Sequence, residues 1–489
     1  MNTRHISLAG YIPLVLLAAS LAGCGLLPKV GPDYRPAAPV APAAWQAVTP
    51  LPHNGDPAAL ADWWRQWDDP LLAELVTAAE ADNATLAQAW ARIQQARAEL
   101  VTSGAAELPA LDASLNGSRA TVAMAGPVMH QTTRQAGLMS NWEIDLFGGI
   151  ARRQEAAEAG YAASRTRWHA ARVSLAAEAA QAFLQTRFLE RRLQLAEADL
   201  ASRRATALLT RQLNAAGFQS NQAVGLAEAG AAESAANLTD LRSAYDQQIK
   251  ALVALCGINE PELRNRLAAR SGQFAQPAQF RITSLPAALL AQRPDIAAAE
   301  RDVAAASATI GQAESARYPR LQLLGSLTPL RLTTDGSTIS ATTWSIGAGL
   351  TLPLVDGGRI DANVAAAKAQ YAAAAAQYRQ KARDAVREVE QALVRLDAAG
   401  RREADLRLAA AGYGQALDAT RSRHRAGLAA PLELEEASRL ALAADTNLAA
   451  WQRERAAAWV DLYRAVGGGW QADAAVPAPI APHQAGKRP

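Results

Sequence analysis

Residues Thr342 to Leu354 read TTWSIGAGLTLPL. Trp344, Ile346, Ala348, Leu350, Leu352 and Leu354 alternate with Thr343, Ser345, Gly347, Gly349 and Thr351, a period of two that marks a strand. One face of that strand is apolar and the other carries only small or polar side chains. WEID, further back, repeats the pattern, with Trp142, Ile144 and Leu146 against Asn141, Glu143 and Asp145. Each of these runs follows a shorter alternating one. In LDASLNGS, Leu111, Ala113 and Leu115 oppose Asp112, Ser114 and Asn116; in LQLLGSL, Leu321, Leu323 and Leu327 keep the same parity. The patterns predict four strands, at about 110–122, 133–147, 320–332 and 341–355.

Working outward, the chain repeats itself. Pro109 matches Pro319 and Gly217 matches Gly427 (319 − 109 and 427 − 217, both 210), and Gly257 in ALCGI keeps the same offset to Gly467 in RAVGG. Trp142 aligns with Leu350 at an offset of 208, which fits a short indel. A period this long means a duplicated fold rather than a solenoid array. Each copy opens with a helical run, LLAELVTAAEADNATLAQAWARIQQARAEL or LPAALLAQRPDIAAAERDVAAASATIGQAESA, and passes through its strand pair to a glycine doublet, Gly148-Gly149 or Gly357-Gly358. A long helical signal follows.

No proline interrupts Pro127 to Pro261 or Pro353 to Pro431. A helix from Gly149 to Gly217 would run roughly 65 residues, or ~100 Å at 1.5 Å per residue, far beyond ordinary globular helices. Val386, Val389, Leu393 and Leu396 form a coiled-coil seam, and the charges interspersed among the alanines are those of helices standing in water. At Gly217 and Gly427 the chain turns, and a second helix runs back to Gly257 or Gly467. The composition agrees: half of the 489 residues are hydrophobic but only 5% are aromatic, the excess being alanine, the best helix former.

The N-terminus reads as an export signal. MNTRH is basic, Ile6 to Leu17 is apolar yet short for a membrane span, and LAGC resembles the lipobox of bacterial lipoproteins, whose cysteine is acylated. This reading makes 1–23 a signal peptide and Cys24 the lipid attachment point, carrying an S-diacylglycerol and an N-acyl chain; an inert thiol is the alternative. Gly25, in place of an aspartate, favours the outer membrane. From 24 to 60 the prolines predict an extended, lipid-anchored linker, and 471–489 has the composition of a disordered tail. Cys256 sits in a helical run as a buried small residue, and once Cys24 is acylated no structural disulfide is available. The net charge of +3, without a basic block, argues against nucleic acid.

After the signal no run of eighteen apolar residues remains, so a membrane crossing by the mature chain needs strands. Four strands cannot close a spanning barrel, which starts at about eight, and open edges are not tolerated in lipid. Several chains must therefore share one ring. A soluble sheet packed on helices is the other reading of the same alternation.

LLAQRPDIAAAERDVAAASATIGQAESARYPRLQLLGSL, with VGPDYRP (Val30 to Pro36), WWRQWDDPLLAELV (Trp63 to Val76), LPLVDGGR and RHRAGLAAPLELEEA, resembles the TolC family of outer-membrane factors, in its NodT-like or OprM-like lipoprotein branch. The resemblance covers nearly the whole mature chain. It implies a mainly α fold with a β-barrel portion: a homotrimer whose twelve strands, four per chain, form a transmembrane barrel continued by an α-helical tunnel. Repeat 1 would occupy 61–265 and repeat 2 280–470. It further implies a passive duct held in outer-membrane lipid and projecting into the periplasm, docked by a periplasmic adaptor and fed by an inner-membrane pump of the RND or another type. Drugs or other small molecules are the expected cargo. A type I secretion duct, or a lipid-anchored coiled-coil scaffold without a pore, are the alternatives.

In that family the helix turns dock adaptors, which points to Gly217, Phe218 and Gln219 in one tip and Arg423, Gly427 and Leu428 in the other. The first tip departs from the family's basic and aromatic residues, having Leu213 and Asn214. Many members carry a gating carboxylate just after the second glycine; here Ala429 and Ala430 stand there, leaving Glu433 and Glu435 as the nearest candidates, with a solvated helix face as the plainer reading. Glu143, Asp145, Thr343, Ser345 and Thr351 fall on the expected lumen face. WWRQWDD reads as a packing and capping element, with Asp68 or Asp69 before the helix at Pro70. His130, His169 and His424 lie in unrelated contexts, and no metal set, cofactor loop or nucleophile motif is present, so no enzyme chemistry is expected.

Overall fold

The computed structural model describes residues 29–36, 44–47, 60, 62–122, 128–275, 292–472 and 474–477. Cys24, the signal segment, most of the linker, the start of repeat 2 and the end of the tail lie outside them. In chain order the elements are α1 (Pro70–Asp82), α2 (Ala84–Ala105), β1 (Ala110–Val122), β2 (Met129–Ile144), α3 (Gly149–Ala215), α4 (Asn221–Cys256), α5 (Glu260–Ala268), α6 (Pro294–Ser315), β3 (Arg320–Thr334), β4 (Ser337–Thr351), α7 (Arg359–Arg425) and α8 (Pro431–Ala465). The chain divides into two compact units, one built from Met1–Ala38, Arg92–Ser164 and Ala298–Tyr378, the other from Pro39–Ala91, Arg165–Ala297 and Arg379–Pro489.

The first unit holds one antiparallel sheet in the order β1-β2-β3-β4. Its middle pair, β2 with β3, joins the two copies, so the repeats sit side by side as hairpins. The β3–β4 hairpin closes on Asp335 (φ 45°) and Gly336 (φ 87°), both left-handed, as a two-residue type I′ turn requires. That turn lets β3 and β4 run to Thr334 and from Ser337, further than the apolar alternation alone indicates. At the other end β4 stops at Thr351, so Leu352 and Leu354 lie past the strand, because Pro353 cannot donate to a ladder. Likewise β2 begins at Met129 and ends at Ile144, before Leu146.

The linker is not a free tether throughout. The nitrogen of Val30 donates to the carbonyl of Phe147 (3.1 Å), and the buried Arg152 donates to the carbonyls of Val30 (3.1 Å) and Gly31 (3.3 Å) and to Asp33 (2.7 Å). A side chain at Gly311 would collide with the Val30 carbonyl at 2.7 Å, so glycine there makes room for the docked strap. Five steps separate Cys24 from Lys29 (29 − 24). Fully extended, five steps span at most about 17–18 Å.

The second unit is helical. α3 and α7 are each 67 residues long and carry one proline-free copy of the long helix. Within the second unit, three of the four expected seam residues, Val389, Leu393 and Leu396, are buried along α7 with Ala382, Ala385, Ala392 and Ala399, whereas Val386 is half-buried. Leu189, Ala196, Leu200, Leu238 and Leu241 form the corresponding cluster between α3 and α4. The opening helical run of copy one is broken at Asn83, whose extended backbone ends α1 and whose side-chain oxygen accepts from the Thr85 nitrogen (2.8 Å). An asparagine that can cap outweighs the helical pattern on either side of it. WWRQWDD packs and caps as expected. Trp63 stacks on Tyr463 (centroids 5.0 Å, interplanar 12°), and Asp69 accepts from the Leu71 nitrogen (3.1 Å) at the start of α1. The same carboxylate meets the fully buried Arg187 at 3.0 Å, and Arg187 also reaches Glu190 (2.9 Å) and the Leu267 carbonyl (2.9 Å). A charge taken out of water needs such partners, although among the described residues the Arg187 Nε is left without one.

Candidate functional site

Strand register decides which side chains share a face. Trp344 lies opposite Leu327, which lies opposite Leu138, which lies opposite Ala113. The next rows run Ile346, Gly325, Ser140, Leu111; then Ala348, Leu323, Trp142; then Leu350, Leu321, Ile144. All alternating apolar positions of the four strands thus meet on one face, where Leu115, Trp344 and Ile346 are 87%, 74% and 83% exposed. A contiguous patch of that size is a solvent-exposed liability unless lipid or protein covers it.

The opposite face carries Ser345 with Ser326 (Oγ to Oγ 2.8 Å), Thr343 donating to the Thr328 carbonyl (3.3 Å), Thr351 beside Arg320, and Glu143 beside Gln322. Glu143, Asn141 and Gln322 line an open cavity of about 430 Å³. Four of the five expected lumen positions therefore lie on the polar face, and Asp145 lines the same cavity as Glu143. It lies past the end of β2 and accepts from the Ala151 nitrogen (2.8 Å) in the first turn of α3. Asp356 does the same before α7, accepting from Gly358 (3.0 Å) and Ile360 (2.8 Å), and these backbone donors hold its carboxyl below the usual range.

At the two helix turns the main chain is the same. Gly217 (φ 80°) donates to Asn214 and Phe218 to Leu213, while Gly427 (φ 75°) donates to His424 and Leu428 to Arg423, at 2.8–3.0 Å throughout. Both are Schellman motifs. A side chain at either glycine would touch nothing, so the left-handed backbone alone selects glycine. Asn214 and His424 hold equivalent carbonyls, those of Gln219 (2.7 Å) and Ala429 (2.8 Å). The unusual asparagine of the first tip therefore keeps the local fold. Phe218 and Leu428 are 77% and 71% exposed, Gln219 lies in the same turn, and Arg423 donates to the Leu428 carbonyl (3.1 Å).

The two gate candidates separate. Glu433 is exposed and sits 3.5 Å from Arg423. Glu435 is only 22% exposed and lies 3.2 Å from Arg203 of α3, so it joins one helical hairpin to the other and is no solvated residue. Arg203 also binds Asp199 (2.8 Å), which accepts from Ser234 of α4 (2.8 Å), and Gly230 gives the guanidinium room, a side chain there meeting it at 3.1 Å. Spacing from the glycine does not reveal this cluster. An arginine and a glycine facing each other across one hairpin were the available signal.

Cys256 is buried, and burial pushes its thiol up to about 11, which leaves it unreactive. His169 is buried beside Trp168 and Trp470, and desolvation, then the Arg172 charge, lowers it to about 4. Among the described residues no helix is long and apolar enough to cross a membrane, and no group of three His, Cys, Asp or Glu could hold a metal.

Comparison with known proteins gives a consistent picture. A family model described as outer membrane efflux protein matches residues 75–258 and 285–468, two segments with the 210-residue offset of the glycine pairs (285 − 75). The chain is 33% identical over 472 residues to outer membrane protein OprJ of Pseudomonas aeruginosa, covering 94% of this chain and 96% of that one. It is 30% identical over 457 residues to nodulation protein T of Rhizobium leguminosarum bv. trifolii, covering 92% and 95%. Among solved structures, the outer-membrane channel OprN superposes with a TM-score of 0.75 at 29% identity, covering 90% of this chain and 99% of that chain.

Proposed function

Because this chain belongs to the outer membrane efflux protein family, an outer-membrane channel component of efflux systems, we propose that it acts as a homotrimer, passing small molecules received from an inner-membrane pump through a periplasmic adaptor. The observation that carries this is the sheet. It has one mainly apolar face, interrupted by Ser140, one mainly polar face that also carries Met139, Leu324 and Ile339, and two edges, β1 and β4, without a neighbour in the order β1-β2-β3-β4. An edge in lipid must be paired, and three chains of four strands make a closed ring of twelve. Ser345, Thr343, Glu143 and Gln322 then line water, and the apolar rows meet lipid.

In this reading the turns at Gly217 and Gly427 dock the adaptor, whose hairpins meet Phe218 and Leu428. Arg203, held between Asp199 and Glu435, is a latch between hairpins that narrows the entrance until an adaptor engages. Acylation of Cys24 fastens the chain close to the sheet, since the strap from Lys29 to Pro36 is docked. Cargo selection belongs to the pump, because a wide aqueous duct offers few specific contacts. Relatives are named for antibiotic, solvent and pyoverdine efflux, which supports small molecules as cargo.

Purified protein in planar bilayers tests the proposal. Ion-conducting units whose native mass is three chains are expected, whereas a monomer without conductance contradicts it. Deletion in the source organism should lower the tolerated concentration of at least one exported drug or solvent.

A further inference from the structure

The apolar face changes character toward the hairpin ends. Above the row of Ala113, Leu138, Leu327 and Trp344 comes Leu115 with Ala136, and Pro329 continues it on β3. The next row on the same face sets Arg134 directly opposite Arg331, and Arg119 follows one row higher on β1. All three arginines are exposed. Ile144 to Ala136 is 144 − 136 = 8 residues of strand. That is roughly 27 Å along the strand, or roughly 20 Å of depth at a tilt of about 40°, close to the ~25 Å apolar band of outer-membrane barrels. The arginines therefore begin where the hydrocarbon ends.

Two like charges directly opposed on neighbouring strands repel. Among the described residues none of the three guanidiniums has an ion-pair partner, and the intervening segment 123–127 contains no acid. The nearby Asp335 is occupied by the backbone nitrogen of His130 (2.9 Å). A shallow groove runs over Arg134, Pro329, Arg331, Ser340 and Thr342. We propose that Arg119, Arg134 and Arg331 bind the phosphates of outer-leaflet lipid headgroups, with the acyl chains lying on the apolar rows below. Guanidinium forks suit phosphate oxygens, and an anion between Arg134 and Arg331 removes their repulsion. The site lies on the outside of the barrel and is independent of what the duct carries.

The test uses the full-length protein in detergent, with hexa-acylated lipid A, phosphatidylcholine and inorganic phosphate as separate probes and native mass spectrometry with thermal unfolding as readouts. Lipid A should be retained and should raise the unfolding temperature more than the other two. In R119Q/R134Q/R331Q its affinity should fall on the order of a hundredfold, about fivefold per arginine, while R119K/R134K/R331K keeps most of it. Conductance of the glutamine variant in phosphatidylcholine bilayers should match the parent, which separates a lost lipid site from a lost channel. If the triple variant does not assemble, R331Q alone decides, with about a fivefold loss expected. Equal protection by phosphatidylcholine or by inorganic phosphate, or undiminished lipid A binding in the glutamine variants, would overturn the proposal.

Discussion

The turns at Gly217 and Gly427 share their main-chain hydrogen bonds and differ in nearly every side chain. The first tip, NAAGFQSNQ, is uncharged; the second, RHRAGLAAPL, presents Arg423, His424 and Arg425. The two copies thus share a left-handed backbone that favours glycine and differ in surface chemistry. A trimer would offer an adaptor two kinds of site, one apolar and amide-lined, the other apolar and basic.

The largest effects should come from what the tips share. A valine at Gly217 or Gly427 must take a positive φ, at a cost of about 1–2 kcal/mol and with local refolding of the turn. G217V and G427V should each abolish complementation of a deletion strain in a drug-susceptibility assay, and loss from only one would show that the tips are not equivalent. Next comes the latch. R203A removes the hairpin-to-hairpin partner of Glu435, so single-channel conductance should rise several-fold; an unchanged conductance would assign closure to helix packing alone.

The difference between the tips should appear at a smaller scale. R423A/R425A should weaken adaptor binding about five- to tenfold and flatten its salt dependence, as expected for rim charges. F218A should weaken it without changing that slope. Titration of the two variants against salt checks both.

The copies also differ in acid response. His169 has Arg379 as its counterpart at the 210-residue offset (379 − 169), so repeat 1 alone carries this buried neutral histidine. Its folded value of about 4 lies below the unfolded ~6.5. Its contribution is therefore present above pH ~6.5 and lost as pH falls toward about 4, on the order of 2 kcal/mol after allowing for screening. Thermal unfolding of H169L should lack that part of the pH dependence. Smallest of all, N214H and H424N should change stability by less than about 0.5 kcal/mol, since each residue makes the same kind of hydrogen bond to a carbonyl.

Much of this was legible in the sequence because periodicity is a local property. Trp344 to Leu350 announce a two-faced strand, and the proline-free interval after Gly149 announces the long helix. The rest depends on single residues or on distant pairs. Asn83 breaks a good helical pattern by capping, and Asp335-Gly336 extends β3 and β4 past the point where the apolar alternation stops. Asp145 lines the cavity beside Glu143 and also caps the helix behind it, a second role that its parity does not show. Arg203 and Glu435 are 232 residues apart (435 − 203), and Arg134 opposite Arg331 follows only from the β2–β3 register, so no local pattern shows either pair.

In the assembled channel one face of the sheet should meet lipid and the other water. Nitroxide labels placed singly from Thr343 to Leu350 in the reconstituted channel test it most directly, by comparing collision with oxygen and with a polar nickel complex. Positions 344, 346, 348 and 350 should favour oxygen and positions 343, 345, 347 and 349 the nickel complex, with a period of two. Equal accessibility along the strand, or the opposite phase, would contradict the account.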